Sequence, residues 1–67
     1  MLDIKYPEIE VQLSGTDSNA FAIMGKITEA MKRADVSSEE IDAFRREAMS
    51  GNYDHLLQTC MTWVNIS

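Results

Sequence analysis

The sequence predicts a mainly helical α+β domain with the element order β-α-α-α-(β). Three patterns carry that expectation: alternation of apolar and polar residues over Glu8 to Leu13, a long amphipathic stretch running to Ala34, and a helix-capping signal at Ser37. The 67 residues allow one domain. Within it the expected boundaries are a lead-in over 1–7, a strand over 8–13, helices over 18–34, 38–50 and 53–62, and a short closing strand over 63–66.

Ile9, Val11 and Leu13 fall on one side of the first strand and Glu8, Glu10 and Gln12 on the other, the pattern of a strand with one face on a core. Pro7 is expected just before the strand or at its first residue, with pairing starting after it. The strand's backbone needs a neighbour, from another segment of this chain or from the same strand of a second copy.

Ser14 to Asn19 reads as a turn, and Asp17, Ser18 or Asn19 supplies the N-cap of the first helix. Ala20, Ile23, Met24, Ile27, Ala30, Met31 and Ala34 then recur at helical spacing, with Lys26, Glu29, Lys32 and Arg33 on the other faces. Gly25, mid-helix, suggests a backbone passing close, or else a tolerated defect.

Ser37-Ser38-Glu39-Glu40 fits a capping box in which Glu40 reaches back to the cap, and Val36 and Ile41 are placed as its hydrophobic staple. Ile41, Phe44 and Ala48 mark the buried stripe, and Gly51 is placed to end the helix as a left-handed residue. The short Asp35-Val36 link implies an antiparallel helical hairpin. Asn52 caps the third helix, which carries Tyr53, Leu56, Leu57, Cys60, Met61 and Val64 at spacings of three and four. The tail from Thr62 to Ser67 favours β structure, so the helix is expected to end near Met61 or Thr62.

Composition narrows the function classes. Six Lys and Arg against eleven Asp and Glu give a formal charge of −5, which disfavours a phosphate-backbone surface and direct nucleic-acid binding, and favours contact with a basic protein. No apolar run approaches the roughly 20 residues of a membrane span, and the N-terminus lacks signal-peptide character, so the expected location is cytoplasmic. Cys60 is the single cysteine, which excludes an intrachain disulfide, and with one histidine it makes no usual zinc site. No cofactor or metal is implied. A domain this small hides only about 60% of the surface its unfolded chain exposes, so self-association, with a dimer favoured, is the remaining route to a comfortable core.

Candidate sites weigh against plainer readings. Gly15, Thr16, Ser18 and Asn19, opening a helix, suit a small anion, yet ordinary capping explains each. His55 and Cys60 suggest a base and nucleophile, but five residues apart on one helix they lie on different faces, and a core cysteine is the better reading. Glu39, Glu40, Asp42 and Glu47 read as a solvated acidic face rather than catalytic or metal-binding carboxylates, and as the surface for a basic partner. Ile9, Val11, Leu13, Phe21 and Trp63 are the candidates for subunit contact.

The acidic strand followed by LSGTDSNAFAIMGKITEAMKRA, and then VSSEEIDAFRREAMSGNYDHLLQTCMTWVNI, resembles a family of short uncharacterised proteins of phages, prophages and mobile elements. The resemblance covers nearly the whole chain and brings no catalytic residues with it. It implies a phage-type accessory protein in the host cytoplasm, one that blocks a host defence system by binding. The alternative is an oligomeric sponge for an anionic small molecule such as a nucleotide signal.

Overall fold

A computed structural model describes residues 3–13 and 19–67 of the chain. It shows the predicted order: strand β1 (Tyr6–Val11), helices α1 (Ala20–Arg33), α2 (Ser38–Ala48) and α3 (Tyr53–Trp63), and strand β2 (Val64–Ile66). The two strands pair in parallel as one small sheet. A parallel pair needs a crossover between its strands, and here the three helices form it.

The strand partner foreseen as either internal or a second copy is internal. Tyr6 lies opposite Val64, and Glu10 and Val11 lie opposite Asn65 and Ile66, so Pro7, Glu8 and Ile9 form a bulge with no counterpart in β2. That bulge corrects the expected position of Pro7. The proline sits inside the strand, at its second residue, where the ladder is interrupted and its missing N–H costs no bond. Lys5 N–H donates to the Thr62 carbonyl at 2.9 Å, and Ser67 N–H donates to the Val11 carbonyl at 3.0 Å, so pairing extends past both ends of β2. The strand also begins two residues earlier than the alternation suggested, and Leu13 lies beyond it.

Each helix begins at a side-chain cap. Asn19 Oδ1 accepts from Phe21 N–H, Ser37 Oγ from Glu40 N–H and Asn52 Oδ1 from His55 N–H, each satisfying a first-turn donor that has no partner inside its helix. Val36 and Ile41 both join the core, as the staple requires. Glu40 departs from its expected role: its Oε1 goes to Lys5 and Tyr6, far away in sequence.

The link from α1 to α2 is a Schellman turn. Val36 N–H reaches the Met31 carbonyl and Asp35 N–H the Lys32 carbonyl, with Asp35 at φ 62°. Gly51, in contrast, has no positive φ, which corrects its reading as a left-handed terminator. α2 ends at Met49 as its C-cap. Gly25 has nothing within 4 Å of where a Cβ would stand, so among the described residues no backbone from outside its own helix approaches it.

The core is built from Ile9, Val11 and Val64 of the strands, Ile23, Met24, Ile27 and Met31 of α1, Ile41, Phe44 and Ala48 of α2, and Leu56, Cys60 and Trp63 of α3. Among the described residues no buried side-chain nitrogen or oxygen lacks a hydrogen-bond partner. Trp63 belongs to the last turn of α3, and Val64 is already extended at φ −137°, ψ 167°, so helix passes to strand with no intervening turn. No helix among the described residues is long and apolar enough to cross a membrane.

The left-handed Asp35 gives a first test. Asp35→Gly removes the Cβ clash of that conformation and should match or exceed the wild type in stability, whereas Asp35→Val should lose about 1–2 kcal/mol. Urea unfolding followed by circular dichroism reads both, and a Val variant as stable as the wild type would contradict the turn assignment.

Candidate functional site

The four acids expected to form one face of α2 divide into two groups. Glu40 and Glu47 are seven residues apart, two turns, and lie on the side toward Trp63, whereas Glu39 and Asp42 lie on the outer side, where Arg46 is one turn beyond Asp42. The inner pair is engaged within the chain. Glu40 Oε1 stands 2.7 Å from Lys5 Nζ and accepts the Tyr6 hydroxyl at 2.8 Å. Glu47 Oε2 accepts the Trp63 indole N–H at 2.8 Å.

Around the indole these bonds make a continuous arrangement. Tyr6 stacks against Trp63 with ring centroids 6.2 Å apart, Phe44 meets it edge-on at 5.6 Å, and Lys5 Nζ lies 4.3 Å from the ring centroid, within cation–π range. Lys5 therefore touches a carboxylate and an aromatic face together. Its hydrogen bond to Glu40 raises the lysine pKa, and the hydrogen bonds from Lys5 and then Tyr6 hold the Glu40 carboxyl below the usual glutamate value. The bond to Glu40 likewise raises the Tyr6 phenol.

His55 closes a different junction. Its Nε2 lies 2.8 Å from the Glu47 carbonyl and 3.0 Å from Ser50 Oγ, while Ser50 Oγ itself donates to that same carbonyl at 2.7 Å. A carbonyl only accepts, so Nε2 carries the proton, and the ring is not a base toward Ser50. The imidazole instead caps the C-terminal end of α2 from the first turn of α3. Gly51 makes room for it, since a Cβ there would stand 2.8 Å from His55 Cγ. Cys60 takes no part: the thiol is buried and burial pushes its pKa to about 11, so it is a core side chain at neutral pH.

The candidates for subunit contact also separate. Ile9, Val11 and Trp63 have side chains buried in this chain's own core, with Trp63 6% exposed, and Leu13 is partly buried against it. The core has used the surface that a second copy was expected to cover. Phe21 differs: it is 74% exposed, beside Met49 at 58%, and the two border a groove of about 230 Å³ floored by Met24, Ala48 and Leu56. Gly25 and Arg45 flank Phe21 and Met49 on the adjoining surface. Phe21, a candidate for subunit contact from the sequence, is thus on the surface, whereas Met49 was not among those candidates; Phe21 falls outside the α1 apolar stripe and Met49 outside the α2 stripe.

For the anion site, Asn19 is committed to Phe21 N–H as the α1 cap, and Gly15, Thr16 and Ser18 lie outside the described residues. Among the described residues no three His, Cys, Asp or Glu side chains stand together as a metal site.

Gly51→Ala should push His55 off the Glu47 carbonyl and cost about 0.5–1.5 kcal/mol, the range of one net hydrogen bond, and His55→Ala combined with it should add little further. Additive losses in thermal unfolding would show that the glycine and the imidazole act separately. Glu40 gives a pH signature. Because its folded pKa is lowered, its contribution is present above the usual glutamate value and disappears as pH falls through the lowered one. Lys5 and Tyr6 have raised values, so their share is present below their usual values and disappears as pH rises through the raised ones. The stability gap between wild type and Glu40→Gln should therefore be widest around neutrality and close at both extremes. A gap independent of pH would contradict the assignment. No family model matches this chain, nor does any curated protein or solved structure.

Proposed function

We propose that this chain is a small non-enzymatic accessory protein that acts by binding, pairing with a second copy and engaging a host protein with a basic surface. The observation that carries this reading is the bare apolar face at Phe21 and Met49. Aromatic and methionine side chains are enriched at protein interfaces, and two of them standing together in water on so small a domain forgo burial worth about 25 cal/mol per Å². Gly25 beside them leaves open space in which another backbone can lie close. The net charge of −5 and the exposed Glu39 and Asp42 suit a basic target. The phage context, with a host defence protein as the target, rests on the sequence resemblance alone.

Sedimentation velocity across a concentration series tests the pairing. Wild type should sediment as a dimer at high concentration and the Phe21→Glu/Met49→Glu variant as a monomer, both remaining helical. A wild type that stays monomeric throughout would overturn it. Capture from host lysate tests the target: a partner retained at low salt and released as ionic strength rises is expected. Recovery of none at low salt would count against a basic host protein.

A further inference from the structure

Lys5 is held by its backbone and its side chain in separate ways. Lys5 N–H bonds the Thr62 carbonyl and fixes the start of β1, while the ammonium lies on Glu40 and over the Trp63 ring. The side chain is 48% exposed and the Glu40 side chain 35%. A flexible four-carbon stem at that exposure exchanges readily with solvent, and its departure leaves the Lys5 backbone bond and the Tyr6 bond to Glu40 intact.

What the ammonium vacates is a seat of defined chemistry. It has a carboxylate at one edge, the indole face as its floor, and Tyr6 stacked alongside. Glu47 on the indole N–H places a second carboxylate at the ring's edge. Negative charge beside the aromatic face that the Lys5 ammonium now covers is what a second cation would bind in its place.

We infer that the seat formed by Glu40, Trp63 and Tyr6 is a recognition site for a basic side chain of a protein partner, with Lys5 as the chain's own competitor for it. The inference rests on the reading that the partner is basic, and it names where one of that partner's charges is received. The preferred group is a guanidinium: it stacks flat on an indole while presenting paired N–H donors to a carboxylate, whereas an ammonium offers a compact point charge. Replacing Lys5 by a neutral residue should therefore strengthen binding of a cationic ligand, although an N-terminal clasp with a purely structural role predicts no gain.

Trp63 is the only tryptophan, so its fluorescence reports the seat directly. The probe is a short acetylated and amidated peptide of glycine with two arginines, titrated at low salt against wild type, Lys5→Gln, Glu40→Gln and Lys32→Gln. Calorimetry runs in parallel, and circular dichroism establishes that each variant is folded. Lys32→Gln removes the same charge on exposed α1, away from the seat. Lys5→Gln should lower the fluorescence midpoint about two- to fivefold, the range an exposed ion pair's self-competition sets. Lys32→Gln should not, and Glu40→Gln should abolish the fluorescence response. Should Lys5→Gln destabilise the chain, Lys5→Arg, which fills the seat more tightly, should raise the midpoint instead. Equal midpoints for Lys5→Gln and Lys32→Gln, or heat of binding with a silent Trp63, would overturn the seat and leave the basic-partner reading standing. No heat of binding in any variant would overturn both.

Discussion

The indole of Trp63 lies where the last helix becomes the last strand, and the chain's distant parts converge on it. Lys5 and Tyr6 reach it from the start of β1, Phe44 and Glu47 from α2, and its own backbone continues directly into Val64. The parallel pairing depends on that convergence. A three-residue strand contributes few ladder bonds, so its position is set by the side chains that fix the end of α3 rather than by the sheet. With β2 held there, β1 has an internal partner and Ile9 and Val11 have a core to enter.

Glu47 carries the same logic to the other end of α3. Its carboxylate bonds the indole at the helix's end, and its carbonyl receives Ser50 and His55 at the helix's beginning. One residue of α2 thus aligns both ends of its neighbour. The two surfaces read as functional lie on either side of this clamp: the Glu40 and Trp63 seat on one edge of α2, and Met49 with Phe21 on the other. The packing of α2 against α3 fixes the backbone that carries Glu40 and Trp63.

Local signals were legible in the sequence and long-range ones were not. The caps at Ser37 and Asn52, the staple of Val36 and Ile41, and the stripes of α1 and α2 depend on residues within a few positions of one another. Asp35 in the left-handed conformation was hidden because aspartate at a helix end is common, and the glycine at position 51 drew the expectation to itself. There the missing Cβ serves the His55 ring, a contact across the α2–α3 turn. Pro7 in the strand depends on a bulge that only the register with β2 creates. Glu40 was read through its local capping pattern, while Lys5 and Tyr6, more than thirty positions away, claim its carboxylate. Of the candidate site, charge and residue type were visible, but which acids face inward and which aromatic stays exposed followed from packing.

Dependence of the whole fold on Trp63 is tested most directly by urea unfolding of Trp63→Ala and Trp63→Phe followed by circular dichroism. Removing so large a buried ring costs about 3–5 kcal/mol, a large share of the roughly 0.05–0.15 kcal/mol per residue that sustains a domain. The expected result is an alanine variant at the edge of unfolding in water and a phenylalanine variant that folds with a smaller loss. An alanine variant within about 0.5 kcal/mol of wild type would contradict the convergence on Trp63, since that is the range of ordinary surface substitutions.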